Sequence, residues 1–147
     1  MSETPIAKGK REEKRFNPAL VGATAATHFG GDFYGSFFSP LLPLLVDKYS
    51  ISLGVVGLLA AISSLTSSFT QPIFGYLADV RIRGELLVVG VLASAIFMSA
   101  LPMAPNLGWL ICFLVLAGLG VSLSHPVAAS LASKVSGERR GLGMSIY

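Results

Sequence analysis

Charge is what this sequence has least of. Asp, Glu, Lys and Arg make up 13% of its 147 residues, against ~25% in an average soluble domain. The few charges are also clustered: none falls between Tyr49 and Ala78, and none between Leu86 and Ser133. Both stretches exceed the ~20 apolar residues that cross a bilayer once. An ordinary water-soluble enzyme is excluded by that balance. Cysteine is nearly missing too. Cys112 stands alone in an apolar stretch, so no disulfide framework exists and the residue reads as a small core side chain. Two histidines, His28 and His125, are too few to argue for a metal site from sequence. No stretch pairs a nucleophile with a base or forms a phosphate-binding glycine loop, so neither an enzyme nor a cofactor is expected.

What is present is apolar: 52% of residues are hydrophobic and the mean hydropathy is +0.68. The pattern predicts an all-α membrane protein with a charged tail over 1–19 and a transmembrane bundle over 20–147. Spans are expected at about 20–46, 53–77, 86–103 and 107–131, with the start of a fifth helix at 142–147. The third and fourth are separated because Pro102, Pro105, Asn106 and Gly108 crowd together, and such a cluster breaks helices and favours turns. The tail, SETPIAKGKREEKR, has almost nothing to bury and reads as disordered. It is not a cleavable signal peptide, because the apolar run after it is too long and carries an acid.

Orientation follows from the basic residues. With the N-terminus inside, Lys8, Lys10, Arg11, Lys14, Arg15, Arg81, Arg83, Lys134, Arg139 and Arg140 are cytoplasmic and only Lys48 is outside. The expected location is therefore an inner, plasma membrane with a cytoplasmic N-terminus. The net charge of +3 has this topological explanation, and nucleic acid is not an expected partner.

Polar residues inside the spans are the functional candidates. His28 and Asp32 are four apart and share a helix face with Thr24, Gly35 and Ser39. A carboxylate near the bilayer middle costs about 2.5–3.5 kcal/mol on insertion scales, so it normally faces a watery cavity or a partner. Asp32 is the leading candidate for proton or substrate handling. His28 and His125 lie roughly 12 and 9 Å from the cytoplasmic ends of their spans at 1.5 Å per residue, so the two imidazoles can meet if both helices line one cavity. Each is equally readable as a structural hydrogen-bonding residue. Small residues recur at helical spacing, as in Ala60, Ser64 and Ser68, Gly90 and Ser94, and Gly118 and Ser122. In lipid they let helices approach closely.

Three segments resemble the major facilitator superfamily, and within it the fosmidomycin resistance branch of efflux proteins. THFGGDFYGSFFSPLLPLL is similar to that branch's first helix and SLTSSFTQPIFGYLADV to the end of its second. HPVAASLASKVSGERRGLGMSIY is similar to its fourth helix, cytoplasmic loop and fifth-helix start. The resemblance covers about residues 24–147. GYLAD also matches the start of the superfamily's signature loop; Gly75, Asp79 and Arg83 fit it, while Val80, Ile82 and Gly84 replace a base, a glycine and a base. In the family this loop latches one conformation on the cytoplasmic side. Leu114 stands where many drug and proton antiporters of the superfamily carry an arginine in helix four.

The resemblance implies part of the N-terminal half of a twelve-helix fold, working by alternating access with its substrate at the midplane. The expected function is proton-coupled efflux of small molecules or drugs by a partial secondary transporter. Asp32 would carry the proton, assisted by His28 and His125. The expected partners are the bilayer, a small-molecule substrate, protons and the missing C-terminal part. The alternatives are a noncatalytic membrane scaffold or assembly subunit, and a nonfunctional gene fragment.

Overall fold

The N-terminal helix begins where capping chemistry directs it. Asn17 Oδ1 accepts a hydrogen bond from the Leu20 N–H at 3.1 Å, and Pro18 occupies the first turn, where its missing N–H costs nothing. The chain is described by a computed structural model covering residues 15–80 and 84–147. The charged tail as far as residue 14 and Arg83, expected to belong to the latch, lie outside the described residues.

The expected first span is two helices. Helix α1, Pro18–Ser36, ends at Phe37, whose N–H reaches back only three residues to the Tyr34 carbonyl, at 3.2 Å; α2, Phe38–Tyr49, follows at once. The reason lies in Pro40, which has no N–H to offer the Ser36 carbonyl and whose ring crowds it. Pro43 continues inside α2. The remaining α-helices among the described residues follow in order. They are α3, Leu53–Val80; α4, Gly84–Ala100; α5, Leu107–Val135; and α6, Arg140–Ile146. Short 3-10 turns, Leu101–Met103 and Gly137–Arg139, follow α4 and α5. The Pro and Asn cluster lies between α4 and α5, with Asn106 capping α5 through a 3.1 Å bond from the Trp109 N–H.

By length and composition, three helices among the described residues can cross a membrane: Leu53–Val80, Gly84–Met103 and Leu107–Val135. The interrupted, more polar α1–α2 pair is not one of them.

Helix α5 is the centre of the molecule, packing most extensively on α4, then α3, then α1. Of its most apolar stretch 39% is buried, against 6% for that of α3. Two contacts between α4 and α5 depend on glycine. A Cβ on Gly120 would lie 2.6 Å from the Ser94 nitrogen, and one on Gly90 would lie 2.8 Å from the Gly120 carbonyl oxygen. The backbones of α4 and α5 therefore touch through Gly90, Ser94, Gly120 and Ser124, the small-residue packing that lipid favours. Gly118 meets Thr66 of α3 in the same way, at 3.2 Å from the position of an added Cβ.

Some expectations about side chains are corrected here. Ala60, Ser64 and Ser68 are exposed; the face of α3 against α5 includes Thr66 and Thr70, and the Thr70 and Ser122 hydroxyls meet at 2.6 Å. Cys112 is likewise exposed, because it lies about 200° around α5 from buried Leu110. Leu114 is fully buried among Phe38, Leu45, Leu59 and Ala117. An arginine there would have no water, so the leucine suits an apolar seam.

Two tethers hold the ends. Lys48 donates to the Pro102 and Ala104 carbonyls at 2.7 and 2.9 Å, and the Tyr49 hydroxyl donates to Ala104. At the opposite end the Asn17 N–H reaches the Val135 carbonyl at 3.0 Å. The chain then reverses at Gly137, whose φ of 54° is a left-handed conformation open to glycine. Gly143 of α6 sits on the Ser136 side chain with no room for a Cβ. This reversal returns Tyr147 to the side of α1.

Candidate functional site

The three polar residues singled out in the spans come together. His28 and Asp32 stand one helical turn apart on α1, and His125 arrives from α5. The approach is close because Gly31 and Gly35 face Ser124 and Val121, and Cβ atoms placed there would lie 3.8 and 4.0 Å away. His28 Nε2 is 3.3 Å from Asp32 Oδ2, and His125 Nε2 is 3.3 Å from Oδ1. Each imidazole thus addresses a different carboxylate oxygen. The rings meet edge to face at 4.8 Å between centroids. The Asp32 side chain is 56% exposed, the histidines 24% and 27%.

Beside this cluster an open cavity of about 470 Å³ is bordered by His28, His125, Gln71, Pro72, Pro126 and Tyr147. Pro72 and Pro126 each lie inside a helix. Each removes one backbone N–H donor, freeing the carbonyls of Ser68 and Ser122 from their usual helical partner. Tyr147 was not singled out by sequence reasoning. Its ring lies 4.3 Å from that of His28, tilted by 34°, and its hydroxyl donates to the His125 carbonyl at 3.2 Å. It therefore braces both imidazoles, one by its face and one through the backbone. Gln71 was also missed; only its position beside Pro72 on the cavity side of α3 identifies it. No sequence signal marked Tyr147, because its place depends on the reversal after α5.

Of the residues expected to form a latch, Gly75 and Asp79 are described. Gly75 faces Pro126, at 3.8 Å from an added Cβ, next to the cavity. Asp79 is exposed on the last turn of α3.

Comparison with known proteins places the bundle. The family model of the Major Facilitator Superfamily matches residues 24–147. The chain belongs to the major facilitator superfamily. With its family and three apolar helices, it is a multi-pass membrane protein. Its relatives include the fosmidomycin resistance protein of Escherichia coli (strain K12), 28% identical over 100% of this chain and 37% of that protein. The MFS-type transporter YfnC of Bacillus subtilis (strain 168), itself uncharacterized, is 31% identical over 82% of this chain and 29% of its own length. The multi-drug resistance efflux pump PmrA of Streptococcus pneumoniae is 30% identical over 77% of this chain and 30% of the pump. The chain spans about a third of the length of the curated relatives it matches. No solved structure matches it.

Proposed function

We propose that the chain forms part of a secondary active transporter that exports small molecules in exchange for protons by alternating access. The observation that carries this reading is the placement of Asp32 between His28 and His125 where two helices meet beside an open cavity. A carboxylate and two imidazoles in contact can pass a proton without exposing a bare charge to lipid. Moving α1 against α5 would separate Asp32 from His125 while leaving His28 beside it. Relatives named for fosmidomycin resistance and multi-drug efflux favour export of drug-like small molecules. Gly75, Asp79 and Arg83 serve as the cytoplasmic conformational latch in this reading. Four spans cross an inner membrane from a cytoplasmic N-terminus, with α1 and α2 together making the first; the ten-to-one division of the eleven Lys and Arg residues supports that orientation.

The test is proton-driven efflux in vesicles reconstituted with the complete transporter. Asp32→Asn keeps the shape and removes titration; it is expected to abolish gradient-driven export while leaving the helices assembled. His28→Gln is expected to shift the pH dependence of export without eliminating it. Undiminished export with an unchanged pH profile in Asp32→Asn would return the residue to a structural role.

A further inference from the structure

We propose that His28, Asp32 and His125 form a binding site for a divalent transition-metal ion of the zinc type. Two histidines carried no such argument in the sequence; the fold adds a carboxylate between them. One ligand atom from each of the three residues lies within 4.8 Å of the others, and both imidazole–carboxylate separations are 3.3 Å. Zinc bonds of about 2.0–2.2 Å to nitrogen and oxygen place tetrahedral neighbours about 3.3–3.6 Å apart. Each imidazole Nε2 is already near that length from one of the two carboxylate oxygens, Oδ2 for His28 and Oδ1 for His125, and turning the Asp32 carboxylate would present a single oxygen to an ion held between the two rings.

The donor chemistry narrows the ion. Two imidazoles with one carboxylate suit zinc, iron(II), nickel or copper, whereas magnesium and calcium prefer sets made wholly of oxygen. Three protein ligands leave a coordination position for water or an incoming ligand, and the adjoining cavity of about 470 Å³ provides both room and a route of entry. The ligands are also well oriented. His28 and Asp32 are held by one helical turn, the His28 ring packs at a tilt against Tyr147, and the Tyr147 hydroxyl holds the backbone at His125. An ion here would use the same three side chains as the proposed proton path, but its binding is read as metal content and stands apart from export.

The experiment is equilibrium dialysis of Zn2+ against the chain purified through a histidine-free tag into lipid nanodiscs, with Mg2+ in large excess. The expected result is one zinc ion per chain. Asp32→Asn and His125→Gln should each weaken binding by at least about tenfold, the scale on which disturbance of a metal's ligand environment is felt. Asp47→Asn, at an exposed position of α2, should leave it unchanged. Co2+ in place of Zn2+ should give a visible absorption band that disappears with His125→Gln. Each variant is first checked for monodisperse elution and helical circular dichroism, and His28→Gln replaces any that fails. A wild-type chain that retains no stoichiometric zinc overturns the inference without reference to any variant. So does zinc bound equally well by folded Asp32→Asn and His125→Gln chains. Because the readout is metal content, its failure leaves the proton reading standing, and a failure of proton-driven export leaves the metal result standing.

Discussion

A carboxylate shared by two imidazoles is sensitive to whatever aligns the rings, and Tyr147 does so twice, by ring packing and by hydrogen bonding. The two roles separate by substitution. Tyr147→Phe keeps the packing against His28 and loses the bond to the His125 carbonyl, which is worth about 0.5–1.5 kcal/mol. It is expected to lower the stability of the α5–α6 end by that amount and to leave the proximity of the two histidines intact. Tyr147→Ala removes both and should loosen the cluster itself. Histidine side-chain NMR signals in nanodiscs provide the check: His28 resonances should move strongly in the alanine variant and little in the phenylalanine variant. Equal effects would assign the whole contribution to the hydroxyl. At this scale the sequence was informative where geometry is local. The four-residue spacing of His28 and Asp32 survives any arrangement of helices, while the meeting with His125 required α1 and α5 to be neighbours, and Tyr147 required a chain reversal besides.

Helix contacts are decided by residues too small to attract notice individually. The α4–α5 crossing has the least tolerance, since a methyl group at Gly120 would stand 2.6 Å from the Ser94 nitrogen and 2.7 Å from the Gly90 carbonyl oxygen. These are backbone atoms, so relief requires the helices to separate. Gly120→Ala is expected to destabilise the bundle by about 1–3 kcal/mol, the usual range for overpacking, and to lower the midpoint of thermal unfolding in detergent. Gly22→Ala is the control, because nothing lies within 4 Å of the added Cβ; it should leave that midpoint unchanged or raise it through better helix propensity. The prominent trio Ala60, Ser64 and Ser68 shows the limit of this kind of pattern reading. Its spacing is helical, but α5 meets α3 on another face, and spacing alone cannot choose between two faces that both carry serine and threonine. The break at Phe37 was legible in principle from Pro40 and Pro43, yet the length of the segment and its flanking charges, ending at Arg15 and resuming at Asp47 and Lys48, favoured one continuous span.

The molecule as a whole has two ends tied differently. Lys48 and Tyr49 hold the carbonyls beyond α4 at one end, and Asn17 holds the end of α5 at the other. These ends are expected on opposite faces of the membrane. In a Cys112→Ala background, an impermeant thiol reagent applied to intact cells should label Pro105→Cys and spare Lys134→Cys until the membrane is opened. The reverse pattern would invert the topology. Lys48→Met, which removes two of the three bonds to the Pro102 and Ala104 carbonyls, should cost about 1–2 kcal/mol, read as a lower unfolding midpoint. Its effect on the distant histidine signals should be nil, since the tether lies at the other end of α5.

Composition and order were enough to establish the class of this protein. Lack of charge over long stretches dictates helices in a bilayer, because a backbone in lipid must satisfy its own hydrogen bonds, and three segments in sequence order carry the family. Local spacing was enough to pair His28 with Asp32. Only the tertiary structure decided which helix faces meet, that Leu114 lies in a sealed apolar seam, and that a second imidazole and a tyrosine close around the acid. The physical reason is that lipid tails and neighbouring helices are almost equally apolar. Hydropathy therefore says which segments enter the membrane and is nearly silent about which of their faces touch; that choice is made by glycines and hydroxyls at contacts seen only when the helices are packed.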